Sequence, residues 1–191
     1  MQSSLFGESA APSSENVGDV NTELLEKARL RFPGKIFVFG AGPEKSDVAV
    51  VGESPGPPDE AAGKPFTGPA GDLLRKILKS ISVDTDACYL TNAVKFISQG
   101  EEIDADTIGF FRPYLLREIF AVAPRIIISL GNTPTRSLLN TKESISKLRG
   151  KLADLDGIKV MPTFNPAYLL RDPTKKREVW DDMKIVRDFL G

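Results

Sequence analysis

The sequence of 191 residues contains no histidine and only one cysteine, Cys88. Without histidine, the chain cannot use imidazole as a general base, a proton shuttle or a metal ligand. With one cysteine, it cannot close an internal disulfide or supply the several thiolates that an iron–sulfur cluster needs. Cys88 lies inside an apolar run, so we interpret it as a small buried hydrophobic residue.

Long apolar runs and an excess of basic charge are also missing. No run approaches the roughly 20 apolar residues that a membrane span needs. The first residues lack the basic start and apolar core of a secretory signal, so we expect a cytoplasmic protein without a membrane partner. The net charge is −1 and the pI is about 5.7, whereas a nucleic-acid-binding domain usually has a pI above about 9. This argues against tight non-specific DNA binding but leaves room for a local basic patch.

Strands and helices alternate along most of the chain. Residues 1–20 are rich in Ser, Ala, Gly and Glu and show no period, which predicts a disordered tail before a single domain at 21–191. A first helix in "NTELLEKARLRF" would take Thr22 as its N-cap. Short apolar runs predict strands in "KIFVFG", "DVAVVG", "ACYLTN", "RIIISLG" and "IKVMPTF". The alternation predicts an α/β fold, a three-layer α/β/α sandwich around a mainly parallel four-stranded sheet.

The ends of four predicted strands lead into loops that are rich in turn-forming and amide residues. These loops are "GESPGPPDE", "TNAVKF", "SLGNTPT" and "TFNPAYLLRDP". In open α/β sheets, ligands bind at the carboxyl ends of the strands. We therefore expect the functional site where these four loops meet.

Several long motifs follow one another in a specific order. They are "VGESPGPPDEAAGKPFTGPAGDLL", "YLTNAVKF", "IISLGNTPTRSLL", "SKLRGK" and "PTFNPAYLLRDP". From about Lys35 to the C-terminus, the chain resembles the uracil-DNA glycosylase superfamily, and most closely its family 4, which normally carries an iron–sulfur cluster. The resemblance implies an enzyme of base excision repair that hydrolyses the N-glycosidic bond of uracil, or of another deaminated base, in DNA. We expect a monomer without an obligate protein partner.

Two positions depart from the family pattern. Phe96 stands where "TNAVKF" would end in a cluster cysteine, and no cysteine pair precedes Lys35. We therefore predict that the iron–sulfur cluster is absent, that no other cofactor replaces it, and that ordinary packing holds this side together. Asn165 stands where these enzymes usually have His. Its NH₂ group can still donate a hydrogen bond but is neutral, which predicts weaker or altered activity.

The resemblance implies a base-binding pocket built from the first two motifs. Phe66 would stack on the extracted base, which is worth about 1–3 kcal/mol per base. Asn92 would pair with the O4 and N3–H edge of uracil through its amide, and Gly52 and Ser54 complete the set. The structural alternatives are a core Phe beneath a loop and an ordinary turn Asn at a strand end.

Cleavage of the glycosidic bond leaves positive charge on the sugar and negative charge on the departing base. Carboxylates can stabilise the first and orient the attacking water, so we predict that Asp59 positions the water and that Glu53 shapes the pocket or assists. A donor aimed at O2 of the base would act as an oxyanion-hole group, and Asn165 is the candidate.

The remaining candidates would contact DNA outside the pocket. In the family, the loop "AYLLRDP" pushes into the base stack, so Leu170 is the implied wedge and Arg171 the implied phosphate partner. Arg149 and Lys151 of "SKLRGK" would face phosphates. One of Leu169 and Leu170 is expected to begin a buried turn instead.

Three functions are compatible with these residues. The first is a glycosylase that excises a deaminated base. The second is a weak or inactive relative that binds damaged DNA without cutting it, and the third is a protein that binds a free nucleobase. Asp59 and Asn92 favour the enzyme, whereas Asn165 and the acidic pI favour the other two.

Overall fold

A five-stranded sheet forms the centre of the computed structural model, which describes residues 15–98 and 102–191. The strand order is β2-β1-β3-β5-β4, and only the β4–β5 pair is antiparallel. The strands are β1 (Val48–Gly52), β2 (Tyr89–Asn92), β3 (Ile126–Leu130), β4 (Ala153–Leu155) and β5 (Ile158–Thr163).

Helices connect the strands and cover the sheet. They are α1 (Val17–Arg31), α2 (Pro57–Ala62), α3 (Pro69–Ser80), α4 (Ala105–Val122), α5 (Asn132–Leu139), α6 (Ile145–Leu148), α7 (Pro166–Arg171) and α8 (Lys176–Leu190). Short 3-10 helices occupy Thr85–Ala87 and Pro173–Lys175. Within the described ranges, no helix combines the length and the apolar character that crossing a bilayer requires.

The two faces of the sheet are buried under different helices. Alternate residues of the central strands point to opposite faces, so Val50 and Ile128 pack with α3 and α8, whereas Val51 and Ile127 pack with α4. Every residue of β1 and β3 is buried, as expected of strands covered on both sides. The three-layer α/β/α prediction is confirmed.

The four-stranded count was wrong by one strand. β4 forms a hairpin with β5 through Asp156 and Gly157, whose φ angles are +48° and +93°. Two consecutive residues with positive φ make the tight turn that suits a twisted hairpin. The "DG" pair in "LADLDGIKV" is the sequence signal that could have revealed this strand.

The segment "KIFVFG" does not form the predicted strand. It runs beside β2 with one backbone bond from Val38 N to Lys95 O and one isolated bridge between Ala41 and Leu90. The side chains of Phe37 and Phe39 pack into an aromatic cluster outside the sheet. Packing of these rings therefore decides the path of this segment, and its apolar pattern misled the strand prediction.

Helix α1 begins earlier than predicted. Its N-cap is Asn16, whose Oδ1 accepts from Asp19 N at 2.9 Å, and not Thr22. Val17 and Val20 are already buried against the domain, so the predicted boundary of the tail at residue 20 was wrong. The earlier part of that predicted tail, residues 1–14, lies outside the described residues.

The aromatic cluster lies around Phe96. Its ring centroid lies 5.0 Å from that of Phe32 and 5.8 Å from that of Phe111, and the rings of Phe32 and Phe111 stack at 5.5 Å. Lys35 Nζ lies 5.2 Å from the Phe96 centroid. Because these rings come from the end of α1, the loop after β2 and α4, they join three separate segments by apolar contact.

We predict that Phe96→Ala destabilises the fold by about 3–5 kcal/mol, since truncation of a buried Phe removes apolar contacts and leaves a cavity. Urea unfolding followed by circular dichroism measures this change. Phe120→Ala is the matched control because Phe120 is 37% exposed on α4. Equal losses in the two variants would contradict a central role for the aromatic cluster.

Candidate functional site

The strand order reverses between β1 and β3, since the chain leaves β1 for β2 on one side and later returns to place β3 on the other. Such a switch point opens a crevice at the carboxyl ends of the strands. A cavity of about 230 Å³ lies at this edge. Its lining includes Gly52, Glu53, Ser54, Asp59, Phe66, Asn92 and Asn165. All seven residues predicted for base binding and catalysis therefore meet at one hollow.

Asn92 ends β2 and lines this cavity with an unpaired amide. The residue is only 3% exposed, yet its side-chain amide makes no hydrogen bond to any described residue. The amide atoms are not sealed inside the protein, since among the described residues the enclosed side-chain polar atom without a partner is Asn21 Oδ1. The Asn92 amide is instead open to the cavity, where it is available to a ligand with a complementary donor and acceptor.

Gly52 allows Asn92 and Phe66 to approach each other. A Cβ at position 52 would lie 2.3 Å from Asn92 Oδ1 and 2.8 Å from Phe66 Cζ. Both distances are shorter than van der Waals contact, so any larger residue would push one of the two side chains aside. The glycine at the end of β1 therefore sets the width of the cavity.

Asp59 holds the backbone on which Phe66 sits. Its Oδ1 accepts from Thr67 N at 2.7 Å and from Thr67 Oγ1 at 2.9 Å, and its Oδ2 accepts from Gly56 N at 3.0 Å. Phe66 has a φ of +59°, which is strained for a residue with a bulky side chain. Arg75 Nη2 donates to Phe66 O at 3.0 Å on the other side. These bonds keep the strained turn closed and the ring against the cavity.

Glu53 spans the crevice at the switch point. Its Oε2 accepts from the Thr133 hydroxyl at 2.6 Å, and Thr133 lies in the first turn of α5, after β3. Its Oε1 has no hydrogen-bond partner among residues 15–98 and 102–191. One carboxylate oxygen is thus fixed by the protein, while the other is left for a ligand or a water molecule.

Asn165 is the N-cap of α7. Its Oδ1 accepts from Ala167 N at 2.8 Å, and its Nδ2 lies 3.5 Å from Leu130 O, at the limit of a hydrogen bond. The amide is therefore oriented by its oxygen, and its NH₂ group is only weakly held. Its predicted donation to a leaving base stays a prediction.

Arg149 is engaged inside the protein instead of lying free on a basic surface. Its guanidinium donates to Asp182 Oδ1 at 2.6 Å and to Asp182 Oδ2 at 3.1 Å, and it lies 5.5 Å from the Phe164 ring. Asp182 also accepts from Thr163 Oγ1 at 2.6 Å. Burial raises the pKa of Asp182, and the bonds from Thr163 and Arg149 oppose that rise. Arg149 thereby fixes the strand end from which the Asn165 loop starts.

The other predicted DNA-contact residues lie on the surface. Leu170 is 49% exposed, whereas Leu169 is buried in the core, so one of the two leucines does begin a buried turn. Arg171 and Lys151 are exposed. These three exposed side chains remain candidates for contact with DNA.

Sequence reasoning missed three residues that support the site. Thr133, Arg75 and Asp182 each contact a pocket residue or the start of a pocket loop. The first lies in the motif "SLGNTPT", where a hydroxyl in the first helical turn faces the neighbouring strand end. Neither Arg75 nor Asp182 carries a local signal, because each lies on an ordinary amphipathic helix.

Comparison with known proteins agrees with this geometry. A family model described as the uracil DNA glycosylase superfamily matches residues 39–184. The type-4 uracil-DNA glycosylase of Saccharolobus solfataricus is 34% identical over 176 residues, which cover 87% of this chain and 82% of that protein. The type-4 uracil-DNA glycosylase of Archaeoglobus fulgidus is 28% identical, over 93% of this chain and 94% of that protein. That of Thermotoga maritima is 34% identical, over 80% of this chain and 82% of that protein.

We predict that Gly52→Ala abolishes measurable binding of free uracil by titration calorimetry while the protein stays folded. The added methyl group would displace Asn92 or Phe66, both of which line the cavity. Gly109→Ala serves as the control, since a Cβ there meets nothing within 4 Å and alanine is favoured in a helix. Undiminished uracil binding by Gly52→Ala would contradict the assigned pocket.

Proposed function

Because the chain belongs to the uracil-DNA glycosylase superfamily, we propose that it excises uracil from DNA by hydrolysing the N-glycosidic bond, as an enzyme of DNA repair. The observation that carries this function is the Asn92 amide, 3% exposed and without a hydrogen bond to any described residue, at the wall of a cavity next to the Phe66 ring. Uracil presents O4 as an acceptor beside N3–H as a donor, which matches the two ends of an amide.

Recognition of the base would follow from these two side chains. Extraction from the duplex costs a few kcal/mol, which stacking and edge hydrogen bonds in the pocket must offset. Phe66 supplies the aromatic face, and Asn92 supplies the donor and acceptor. A base that cannot pair with Asn92 would cover its amide and leave it without a hydrogen bond, so such a base should be rejected strongly.

Hydrolysis needs a carboxylate that can hold a water molecule near the sugar. Glu53 fits this role, since Thr133 fixes Oε2 and leaves Oε1 available. Asp59 accepts three hydrogen bonds from the loop around Phe66, so its first contribution is to shape the pocket. We assign water orientation mainly to Glu53, and leave Asp59 the supporting role at the other wall.

Asn165 would contribute the hydrogen bond to O2 of the departing base. The residue lines the cavity, and the orientation of its amide is fixed by the bond from Ala167 N to its oxygen. A neutral amide stabilises negative charge less than a cationic or strongly polarised donor. The proposed enzyme is therefore slower than one with a stronger donor at this position.

The DNA would approach over the exposed end of α7. Leu170 is the proposed wedge, and Arg171 and Lys151 are the proposed phosphate contacts. Because the pI is about 5.7, we expect few contacts to phosphates beyond these residues. This predicts modest affinity for undamaged DNA, and an affinity that falls only slightly as the salt concentration rises. We further propose that the protein acts as a cytoplasmic monomer.

The residues present do not fit an iron–sulfur cluster. Phe96, at the position of an expected ligand, packs against Phe32 and Phe111. Burial raises the pKa of the Cys88 thiol to about 12, which keeps the chain's single thiol protonated and unsuited to iron. We propose that the enzyme works without the cluster, and metal analysis of the purified protein tests this.

We predict that the protein releases uracil from an oligonucleotide containing one deoxyuridine, in single- or double-stranded form. Alkali treatment followed by gel electrophoresis detects the abasic product. Asn92→Ala should reduce the single-turnover rate by about 10²-fold or more, since charge on the departing base loses a preorganised donor. Parallel substrates with hypoxanthine or xanthine establish the base preference.

Two results would refute the proposal. Binding of uracil-containing DNA without an abasic product would favour a damage-binding protein. This is the second candidate function, because the NH₂ group of Asn165 is weakly held and neutral where the related enzymes usually have His. Binding of free uracil but not of DNA would favour a nucleobase-binding protein. The exposed-site variant Lys142→Ala controls for non-specific effects of substitution.

We predict that Asn165→His increases the single-turnover excision rate about tenfold or more, because one strong donor at a developing anion contributes about 10²–10³-fold. Asn165→Ala should lower the rate and also weaken the cap of α7, whereas Asn165→Ser should keep the cap. Identical rates for Asn165, its His variant and its Ser variant would remove Asn165 from the reaction.

A further inference from the structure

A buried polar cluster lies next to β2, on the side away from the cavity. It contains Thr91, Lys95 and Glu118, each at most 1% exposed, together with Tyr89. Lys95 Nζ donates to Glu118 Oε2 and to Thr91 Oγ1, both at 2.6 Å. Thr91 Oγ1 and Tyr89 OH donate to Glu118 Oε1 at 2.9 and 2.7 Å. Every charged group in the cluster is therefore paired.

Such a cluster is a poor source of stability. Removing both charges from water costs about as much as their attraction returns, and apolar residues of similar volume often do as well. A fully bonded network does, however, fix the positions of its members. Burial and the nearby Glu118 raise the pKa of Tyr89, so its phenol stays protonated and continues to donate. The expected benefit of the cluster is geometric.

The cluster holds both ends of the segment that carries Asn92. Thr91 immediately precedes Asn92, and because side chains alternate along a strand, Thr91 faces the cluster while Asn92 faces the cavity. Lys95 follows three residues later and returns to the same carboxylate, Glu118. The backbone of the short turn between them cannot shift without disturbing a buried charge-assisted bond, so the point from which the Asn92 side chain projects is fixed.

The middle of this segment is fixed to the neighbouring loop. Ala93 N donates to Gly52 O at 2.8 Å, and Val94 N donates to Glu53 O at 2.9 Å. The position of Asn92 relative to Gly52 and Glu53 is thus set by backbone bonds on one side and by the polar cluster on the other.

We propose that Glu118 and Lys95 are positioning residues for uracil excision, which act through Thr91 to aim the Asn92 amide at the edge of the base. This inference rests on the proposed function of the cavity. Asn92 has no hydrogen-bond partner among the described residues, so the position of its side chain depends on the backbone that carries it and on its packing beside Gly52 and Phe66. A displacement of about 1 Å at a reacting centre can lower a rate by about 10²-fold.

The test is Thr91→Val, which removes the hydroxyl at nearly constant volume and leaves the Lys95–Glu118 pair in place. We expect single-turnover excision of uracil to fall about tenfold or more. Affinity for the same oligonucleotide without uracil should not change, because Asn92 meets only an extracted base. Thr91→Ser keeps the hydroxyl and should retain most of the activity.

Thr135→Val is the matched control. Thr135 is also 1% exposed, and its hydroxyl bonds to Ser129 Oγ at 2.7 Å, away from the cavity lining. If the Thr91 and Thr135 variants have equal excision rates, the positioning role is wrong, whether both match the unsubstituted protein or both fall. If the unsubstituted protein releases no uracil, the proposed function itself fails, which separates the two outcomes.

A double variant tests the charges directly. Lys95→Met combined with Glu118→Leu replaces the buried pair by apolar side chains, which often preserves stability. We expect a folded protein with a similar melting temperature and at least tenfold slower excision. Excision at the unsubstituted rate would overturn the role of the pair, and the Thr91 series decides the question if this variant does not fold.

Discussion

The amide of Asn92, which lines the cavity without a hydrogen bond to any described residue, is the constraint on which the site depends. The side chain is 3% exposed, so its free hydrogen-bonding groups are open only towards the cavity. On the function we propose, a nucleobase with adjacent donor and acceptor groups would pair with both ends of the amide. Selectivity would follow from the same pairing, since a base with the wrong edge would cover the amide without replacing the hydrogen bonds that water makes there. Gly52, which has no Cβ to fill the space, keeps that edge accessible.

Two strand ends are fixed by the same chemical arrangement. At the end of β2, Thr91 donates to Glu118 and accepts from Lys95. At the end of β5, Thr163 donates to Asp182, which also accepts from Arg149. Each threonine lies one or two residues before an asparagine that lines the cavity. Threonine suits this position, since it favours extended backbone and its hydroxyl can both donate and accept. The two loops that need accurate placement therefore start from buried charge pairs.

Much of the site could be predicted, because parallel strands bring their carboxyl ends to one edge. That rule, with the motif order, was enough to place Asp59, Phe66, Asn92 and Asn165 around one hollow. The local pattern of apolar and polar residues predicted the strands less reliably at the edges of the domain. β4 has only three residues, which is too short for its alternation of apolar and polar side chains to stand out, and the apolar period of "KIFVFG" arises from ring packing. The partners of Arg149 were also beyond reach, since Asp182 is 33 residues away and only the fold brings it close.

With Asn in place of the expected His, position 165 can keep the path of the backbone while the hydrogen-bonding group that it offers a substrate changes. Asparagine is among the best N-cap residues, so the loop before α7 keeps its path, with Asn165 Oδ1 accepting from Ala167 N. That bond, however, determines which end of the amide remains for a substrate. The oxygen is held by Ala167 N, and the NH₂ group, which lies 3.5 Å from Leu130 O, is the less firmly held end. A donor at position 165 would suit an anionic leaving group, whereas a neutral amide has no basic nitrogen and cannot serve as a general base.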